Sequence, residues 1–327
     1  VPSLAEQVGA AFRDSDKLIQ KTARHLLTSP PSDRRADCIH PSEAASDHWC
    51  QRAVFYRLAD YTPEPVPGNL MFETVYETGH DAHHKWQRWW WEMGILAGVF
   101  HCMHCDVYWN GLSPQRCPYC EVGRELLEYK EVPLENEEYG IAGFADGDVV
   151  GHGLVEVKTI GEGTVRIEAP NLLARHTSGN AVDWHGLWRD IKIPFASHRR
   201  QGMIYDFCAG RDQMTFIYEP KFITGYPKEF VVKFKKEYIE DILDDCLRVR
   251  TALEHGRPPK RPMWAERSHR SCQKCPYRKH CYDNRPHREA QQGTDRNTGR
   301  AGEATAGVAP PSRVRYAKVA DESYGAR

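Results

Sequence analysis

The spacing of apolar positions changes along the chain, and those changes mark out its elements. Leu4, Val8, Phe12, Leu18, Ile19, Leu26 and Leu27 recur at helical spacing until "TSPPSDRR" breaks the pattern, which predicts a helical arm over residues 1–37. Ser42 stands as a cap ahead of a helix carrying Cys50, Arg52, Phe55 and Tyr56, and "ETVYETGHDAHHKWQRWWWEMG" predicts a second helix ending near Gly94. Beyond it, β-branched residues and glycine turns predict strands over 126–133, 140–150 and 153–160. Helix returns over 198–208, strands over 213–219 and 229–234, and a final helix over 237–254. After Cys281 the segment "REAQQGTDRNTGRAGEATAGVAPPS" lacks the apolar content to pack, so 283–327 is expected to be a disordered tail.

Composition alters this picture little. The 327 residues are 40% hydrophobic and carry a net charge of −1, enough chain for a sizeable core but no global attraction to nucleic acid. Affinity for DNA would have to come from patches such as "SHRRQ" at 197–201 or "KFKKE" at 233–237, each of which also reads as an ordinary solvated face. No run approaches the roughly 18 apolar residues of a membrane span, and "VPSLAEQVGAAFRDSDK" lacks the order of a signal peptide. The expectation is a cytoplasmic protein without membrane contact. In a reducing compartment, clustered members of the eleven cysteines read as metal ligands rather than disulfides.

The segment "GFADGDVVGHGLVEVKTI", residues 143–160, places charge where a core hairpin is expected. Side chains alternate along a strand, so Glu156 and Lys158 share one face while Val155 and Val157 take the other. If the preceding strand returns through Gly151–Gly153, Asp146 approaches Glu156, and the two carboxylates form an oxygen pair suited to Mg²⁺ or Mn²⁺. Taken alone, such a pattern reads equally as a cross-strand ion pair. Spacing also leaves His80, His83 and His84 as alternatives, and Asp148 as a competitor of Asp146.

Four short segments in order resemble the RecB-like branch of the PD-(D/E)XK nuclease superfamily. "GHDAH" (79–83) matches its GxxxH element, "GFAD" (143–146) its GxxD, "EVK" (156–158) its ExK and "QGMIY" (201–205) its QxxxY. Alanine, not the eponymous proline, precedes Asp146. The resemblance covers about 38–282. It implies an α/β, restriction-endonuclease-like core with a central mixed sheet flanked by helices. By that resemblance His83, Asp146 and Glu156 are metal ligands, joined by the Val157 carbonyl. Lys158 orients or activates the attacking water, and Gln201 and Tyr205 support it or contact the DNA backbone.

The cysteines fall into two sets. "CQKCPYRKHC" supplies Cys272, Cys275 and Cys281, three thiolates in want of a fourth ligand. On the residues alone, tetrahedral zinc would serve. The same resemblance, to nucleases of the AddB and CRISPR-associated kind, implies that Cys50 in "HPSEAASDHWCQRAVFY" completes a 4Fe-4S site, with Arg52 and Tyr56 in fitting places. Closing so long a loop would contribute about 4 to 5 kcal/mol by analogy with a disulfide. "CMHC" (102–105) and "CPYC" (117–120) are two CxxC pairs separated by eleven residues. A redox role competes, but Cys102, Cys105, Cys117 and Cys120 together predict a zinc-ribbon-like module inserted over 100–123. Cys38, Cys208 and Cys246 are expected to be small buried residues. Trp86 and Trp90 share a core-facing helix face, leaving Trp89 or Trp91 available to stack a base.

No GxxxxGK[ST] occurs, so the chain has no visible ATP motor. The function expected from the resemblance is a metal-dependent exonuclease on single-stranded or end-containing DNA in recombination, repair or phage DNA processing, with a helicase or recombination protein as partner. The alternatives are a non-catalytic DNA-binding or scaffold subunit and an endonuclease guided by the zinc module.

Overall fold

The computed structural model describes residues 18–28, 35–65 and 70–282. The expected tail over 283–327 lies outside them, as does most of the N-terminal arm, of which α1 (Leu18–Thr28) is described. Helices α2 (Pro41–Ala44), α3 (Gln51–Leu58) and α4 (Leu70–Glu92) precede strands β1 (Leu96–Cys102), β2 (Val107–Leu112), β3 (Leu127–Tyr129), β4 (Val132–Asn136), β5 (Ile141–Ala145), β6 (Gly147–Val149) and β7 (Gly153–Ile160). Then come α5 (Glu162–Glu168), α6 (Pro170–Arg175), the small hairpin β8 (Thr177–Ser178) and β9 (Ala181–Val182), α7 (Trp184–Asp190) and α8 (Ala196–Ala209). Strands β10 (Gln213–Pro220) and β11 (Lys228–Lys233) and helices α9 (Glu240–Glu254), α10 (Arg270–Gln273) and α11 (Arg278–Tyr282) complete the order.

Seven strands form one sheet in the order β11-β10-β7-β6-β1-β2, with β3 also paired to β1. The β7–β10 pair is parallel, with Val157 opposite Ile217, and the other pairs are antiparallel. The fold is therefore α/β with a mixed central sheet, as expected. The excursion through α5 to α8 supplies the long connection that a parallel pair requires.

Alternation divides β7 and β10 between two layers. Leu154, Ile160, Met214, Phe216 and Tyr218 pack with Leu187 and Trp188 of α7 and Tyr205 of α8. Val155, Val157 and Ile217 pack with Trp90 and Trp91 of α4. Both faces of the two strands are thus covered, which explains their near-continuous apolar runs. Gly202 lets α8 lie directly on β10: a Cβ there would stand 2.4 Å from Phe216 Cζ.

Several predicted elements divide. The helix expected after Ser42 is two helices: Ser42 lies inside α2, the N-cap is His40, and Cys50 caps α3. Between them the Ser46 hydroxyl accepts from His48 N (3.3 Å), drawing the backbone out of helix. The strand expected over 140–150 breaks at Asp146, because β5 pairs with β4 in a separate two-stranded sheet while β6 joins β7. The strand expected over 126–133 breaks at Glu131, whose φ of 61° turns the chain from β3 to β4. The segment 100–123 is continuous with the central sheet, since β1 and β2 belong to it. Trp91 is buried against Phe100 and unavailable for stacking, whereas Trp89 stays 40% exposed. Cys38 and Cys246 are buried and Cys208 is partly so.

Candidate functional site

The cleft follows from a mismatch in strand length. β6 reaches β7 only as far as Gly147 opposite Val155, so β7 beyond that point has no strand neighbour on this side. Its next inward backbone donor, Val157 N–H, is satisfied instead by Asp146 Oδ2 at 2.6 Å. The chain needs a side-chain acceptor where β5 veers away, and Asp146 provides it from the break itself.

His83 projects from α4, and its Nδ1 lies 3.1 Å from Asp146 Oδ1. Burial and then the positive charge of Lys158 lower its pKa to about 4, while a hydrogen bond to the Val157 backbone opposes them. The imidazole is therefore neutral near pH 7, the form that binds metal. His80 and His84 are exposed, and Asp148 turns to Arg211 (3.4 Å), so of the alternatives that spacing leaves open, His83 and Asp146 are the two that stand together here.

From the opposite layer Glu156 Oε1 accepts from Lys158 Nζ at 2.7 Å and from Gln201 Nε2 at 2.8 Å. Gln201 Oε1 accepts from Lys158 Nζ at 3.0 Å, and Gln201 Nε2 also donates to the Tyr205 hydroxyl at 3.1 Å. Burial acts against the Lys158 ammonium, but Glu156 and Asp146 outweigh it and raise its pKa. Glu156 is 3% exposed, and its Oε2 is enclosed without a hydrogen-bond partner. A buried carboxylate oxygen left without a partner costs stability unless a hydrogen-bond donor or a cation reaches it.

Two further residues stand here that sequence reasoning did not find. Glu131 brings a carboxylate oxygen to His83 and Asp146, all three ligand atoms lying within 4.8 Å of one another. Gln87, buried on α4 one turn beyond His83, donates to Asp146 O at 2.9 Å and hydrogen-bonds Glu131. Burial, then the charge of Glu156, raises the pKa of both Asp146 and Glu131. The donors are oxygens plus one imidazole, the set that fits a Mg²⁺- or Mn²⁺-sized cation.

The motif glycines differ in need. A Cβ on Gly143 would meet Pro41 Cδ at 2.9 Å and Tyr205 Cε1 at 3.1 Å, whereas one on Gly79 would meet only Thr159 Oγ1, at 3.9 Å. The basic patch "SHRRQ" is committed to the fold: Arg200 binds Ala45 O and Asp47, and His198 binds the Tyr218 hydroxyl.

At the end of the β1–β2 hairpin, Cys102 and Cys120 sulfurs stand 3.6 Å apart and those of Cys105 and Cys117 3.7 Å. A tetrahedral ion with Zn–S bonds of about 2.3 Å has an S–S edge of about 3.8 Å. Against burial, the Tyr119 and Cys120 backbone N–H groups lower the Cys117 pKa to about 7, while burial drives Cys105 up to about 12.

Cys50, Cys272, Cys275 and Cys281 also converge: Cys275, its pKa raised by burial, feels the other three as like charges, and Cys50, likewise raised by burial, feels Cys281 and Cys272. The Arg52 guanidinium donates to Pro259 O and to the Tyr56 hydroxyl, which in turn donates to His280 O, tying α3 to the C-terminal segment. Among the described residues, the ligand groups that close to within 4.8 Å are the other two, so these sulfurs stand wider than a single zinc ion draws them.

No family model matches the chain, and no curated protein matches it in sequence. Among solved structures, an alkaline exonuclease (LHK-Exo) from Laribacter hongkongensis aligns over 68% of this chain and 90% of its own, at 15% identity and a TM-score of 0.38. The same exonuclease in complex with dAMP aligns over the same shares at 13% identity and 0.39, and SSO0001 over 80% and 92% at 12% identity and 0.33. These likenesses are low in score and identity, and the chemistry of the cleft rests on its own geometry. Among the described residues no helix is long and apolar enough to cross a membrane.

Proposed function

We propose that this chain is a divalent-metal-dependent deoxyribonuclease that hydrolyses phosphodiester bonds at the free edge of β7. The observation that carries the reading is the His83–Asp146 pair at 3.1 Å, with Glu156, its Oε2 enclosed and unpartnered, near enough for its charge to raise the Asp146 pKa and Lys158 held at 2.7 Å from that second carboxylate. His83, Asp146, Glu156 and the Val157 carbonyl would hold Mg²⁺ or Mn²⁺. When bound, such an ion would supply Lewis acidity and a more acidic water.

Lys158 keeps its proton, because two carboxylates raise its pKa. It therefore orients water and offsets negative charge growing on the phosphate, rather than acting as a base. Gln201 and Tyr205 fix the ammonium and the Glu156 carboxylate, acting as positioning residues. With no ATP-motor segment in the sequence, single strands and ends are the substrates the chain engages unaided, and a helicase or recombination partner would extend it to duplex. We read the activity as exonucleolytic, with an endonuclease as the alternative.

Cys102, Cys105, Cys117 and Cys120 hold zinc in this reading, supported by their sulfur spacing. The wider Cys50, Cys272, Cys275 and Cys281 set holds a 4Fe-4S cluster that staples α3 to α10 and α11. A brown preparation with broad visible absorption is expected, and a colourless one with two zinc equivalents would overturn the cluster.

The test of the activity is digestion of end-labelled single-stranded DNA with Mg²⁺ or Mn²⁺, wild type against Lys158→Ala. Chelator-sensitive cleavage by the wild type alone is expected. Equal cleavage by both removes Lys158 from catalysis, and retained cleavage of covalently closed circles would favour an endonuclease.

A further inference from the structure

The ligands assigned above come from the helix motif and from β5 to β7, and leave Glu131 without a role. We infer that Glu131 is a direct ligand of the same cation, a third carboxylate delivered by the β3–β4 junction; this rests on reading the cleft as a cation site. Its carboxylate oxygen lies within 4.8 Å of both the His83 and Asp146 ligand atoms. Among the described residues no lysine or arginine pairs with it; its neighbour Lys130 is bound to Glu128 at 2.7 Å.

Independently of that grouping, Glu156 Oε2 on β7 is enclosed, unpartnered and close enough for Glu156 to act on Glu131 as a like charge, so a second carboxylate oxygen near Glu131 has no partner within the protein. The backbone holds Glu131 at φ 61°, a region that non-glycine residues seldom occupy and that is kept where surrounding contacts impose it. Lys130 N donates to Val99 O (2.8 Å) and Val99 N to Glu131 O (3.4 Å), clamping the turn to β1. With all three carboxylates ionised, as they would be when holding a cation, Asp146, Glu156 and Glu131 with Lys158 sum to a charge of −2, which one dication balances; without Glu131 the same set sums to −1.

The test is calorimetric titration of Mn²⁺ into the full chain without DNA, for the wild type, Glu131→Gln, Glu131→Asp and Asp146→Asn. All three variants are expected to weaken Mn²⁺ binding by about tenfold or more. Glu131→Asp keeps the charge and withdraws the oxygen by one methylene, so wild-type affinity there would show that Glu131 acts only through charge and overturn the inference. Wild-type affinity in Glu131→Gln beside a weakened Asp146→Asn would also overturn it while leaving the cation site standing. Unchanged affinity in Asp146→Asn would instead remove the cation site itself. Should Glu131→Gln fail to fold in chelator, Glu131→Gly, which accepts the positive φ without strain, takes its place in the same titration.

Discussion

At the tip of the β1–β2 hairpin four sulfurs already stand at 3.6 and 3.7 Å, whereas along the free edge of β7 carboxylates crowd a histidine and leave one oxygen unpartnered. Thiols are neutral when protonated, so they can be packed to ligand spacing without an ion at little cost. Carboxylates repel, and Asp146 and Glu131 answer by raised pKa values. On the proposed reading the first arrangement, closed on itself, serves shape, and the second, held unsatisfied by the fold around it, is where reaction takes place.

The contrast breaks most sharply on activity. Asp146→Asn or Lys158→Ala should lower DNA cleavage by at least about 10²- to 10³-fold while the circular dichroism spectrum stays native. Replacing Cys102 and Cys105 with serine should instead remove one equivalent of zinc and lower the melting temperature, about 2–4 °C for each kcal/mol lost, with cleavage falling only in proportion to unfolding. A cleavage defect as deep as that of Lys158→Ala in the folded cysteine variant would erase the distinction.

Gly202→Ala sharpens it at the next level. The added methyl would meet Phe216 at 2.4 Å, forcing α8 off β10 at about 1–3 kcal/mol and displacing Gln201 from Glu156 and Lys158. Both stability and cleavage should fall, measured by melting and by the end-label assay.

Within the cleft, pH acts on the carboxylates and on the histidine with opposite sign. Asp146 and Glu131 have folded-state pKa values above their ordinary ones, so their protonation stabilises the fold: that contribution is full below the ordinary carboxylate range and is lost as pH rises through the raised values. His83, lowered from 6.5 to about 4, acts oppositely, since its stabilising effect is lost as pH falls through that window. In chelator, Asp146→Asn should therefore lose less stability than wild type as pH rises toward neutrality, read as the difference between their melting curves; saturating Mn²⁺ should narrow the gap. The smallest effect is expected of Gly79→Ala, where an added Cβ inside a helix meets only Thr159 Oγ1, at an ordinary contact distance of 3.9 Å, and should stabilise by about 0.5–1 kcal/mol in denaturant melts.

Much of this was legible in sequence because it is periodic or local. The β7 and β10 strands, α8 and α4 follow from period and turn chemistry, and Glu156 and Lys158 share a face by alternation alone. Asp146 could not be told from Asp148 that way: it is the break between β5 and β6 that turns Asp146 to His83 and Val157, and that break arises from pairing with β4, a long-range event. Glu131 was invisible for a related reason. "YKEVPLE" reads as continuous strand, and nothing in it signals a glutamate at positive φ where the chain leaves one sheet for another. Gln87 sits among tryptophans on a helix whose pattern says only core. Similarly, burial of Trp91 depends on Phe100 arriving from β1, not on its own helix face.

The most direct measurement is the rate of end-labelled single-strand digestion as Mn²⁺ is titrated into wild type and Asp146→Asn. Saturable, chelator-reversed cleavage by the wild type and none above background by the variant is predicted. Cleavage that persists in chelator, or that the variant matches at every Mn²⁺ concentration, would contradict the assignment of the β7 edge as a cation-dependent nuclease site.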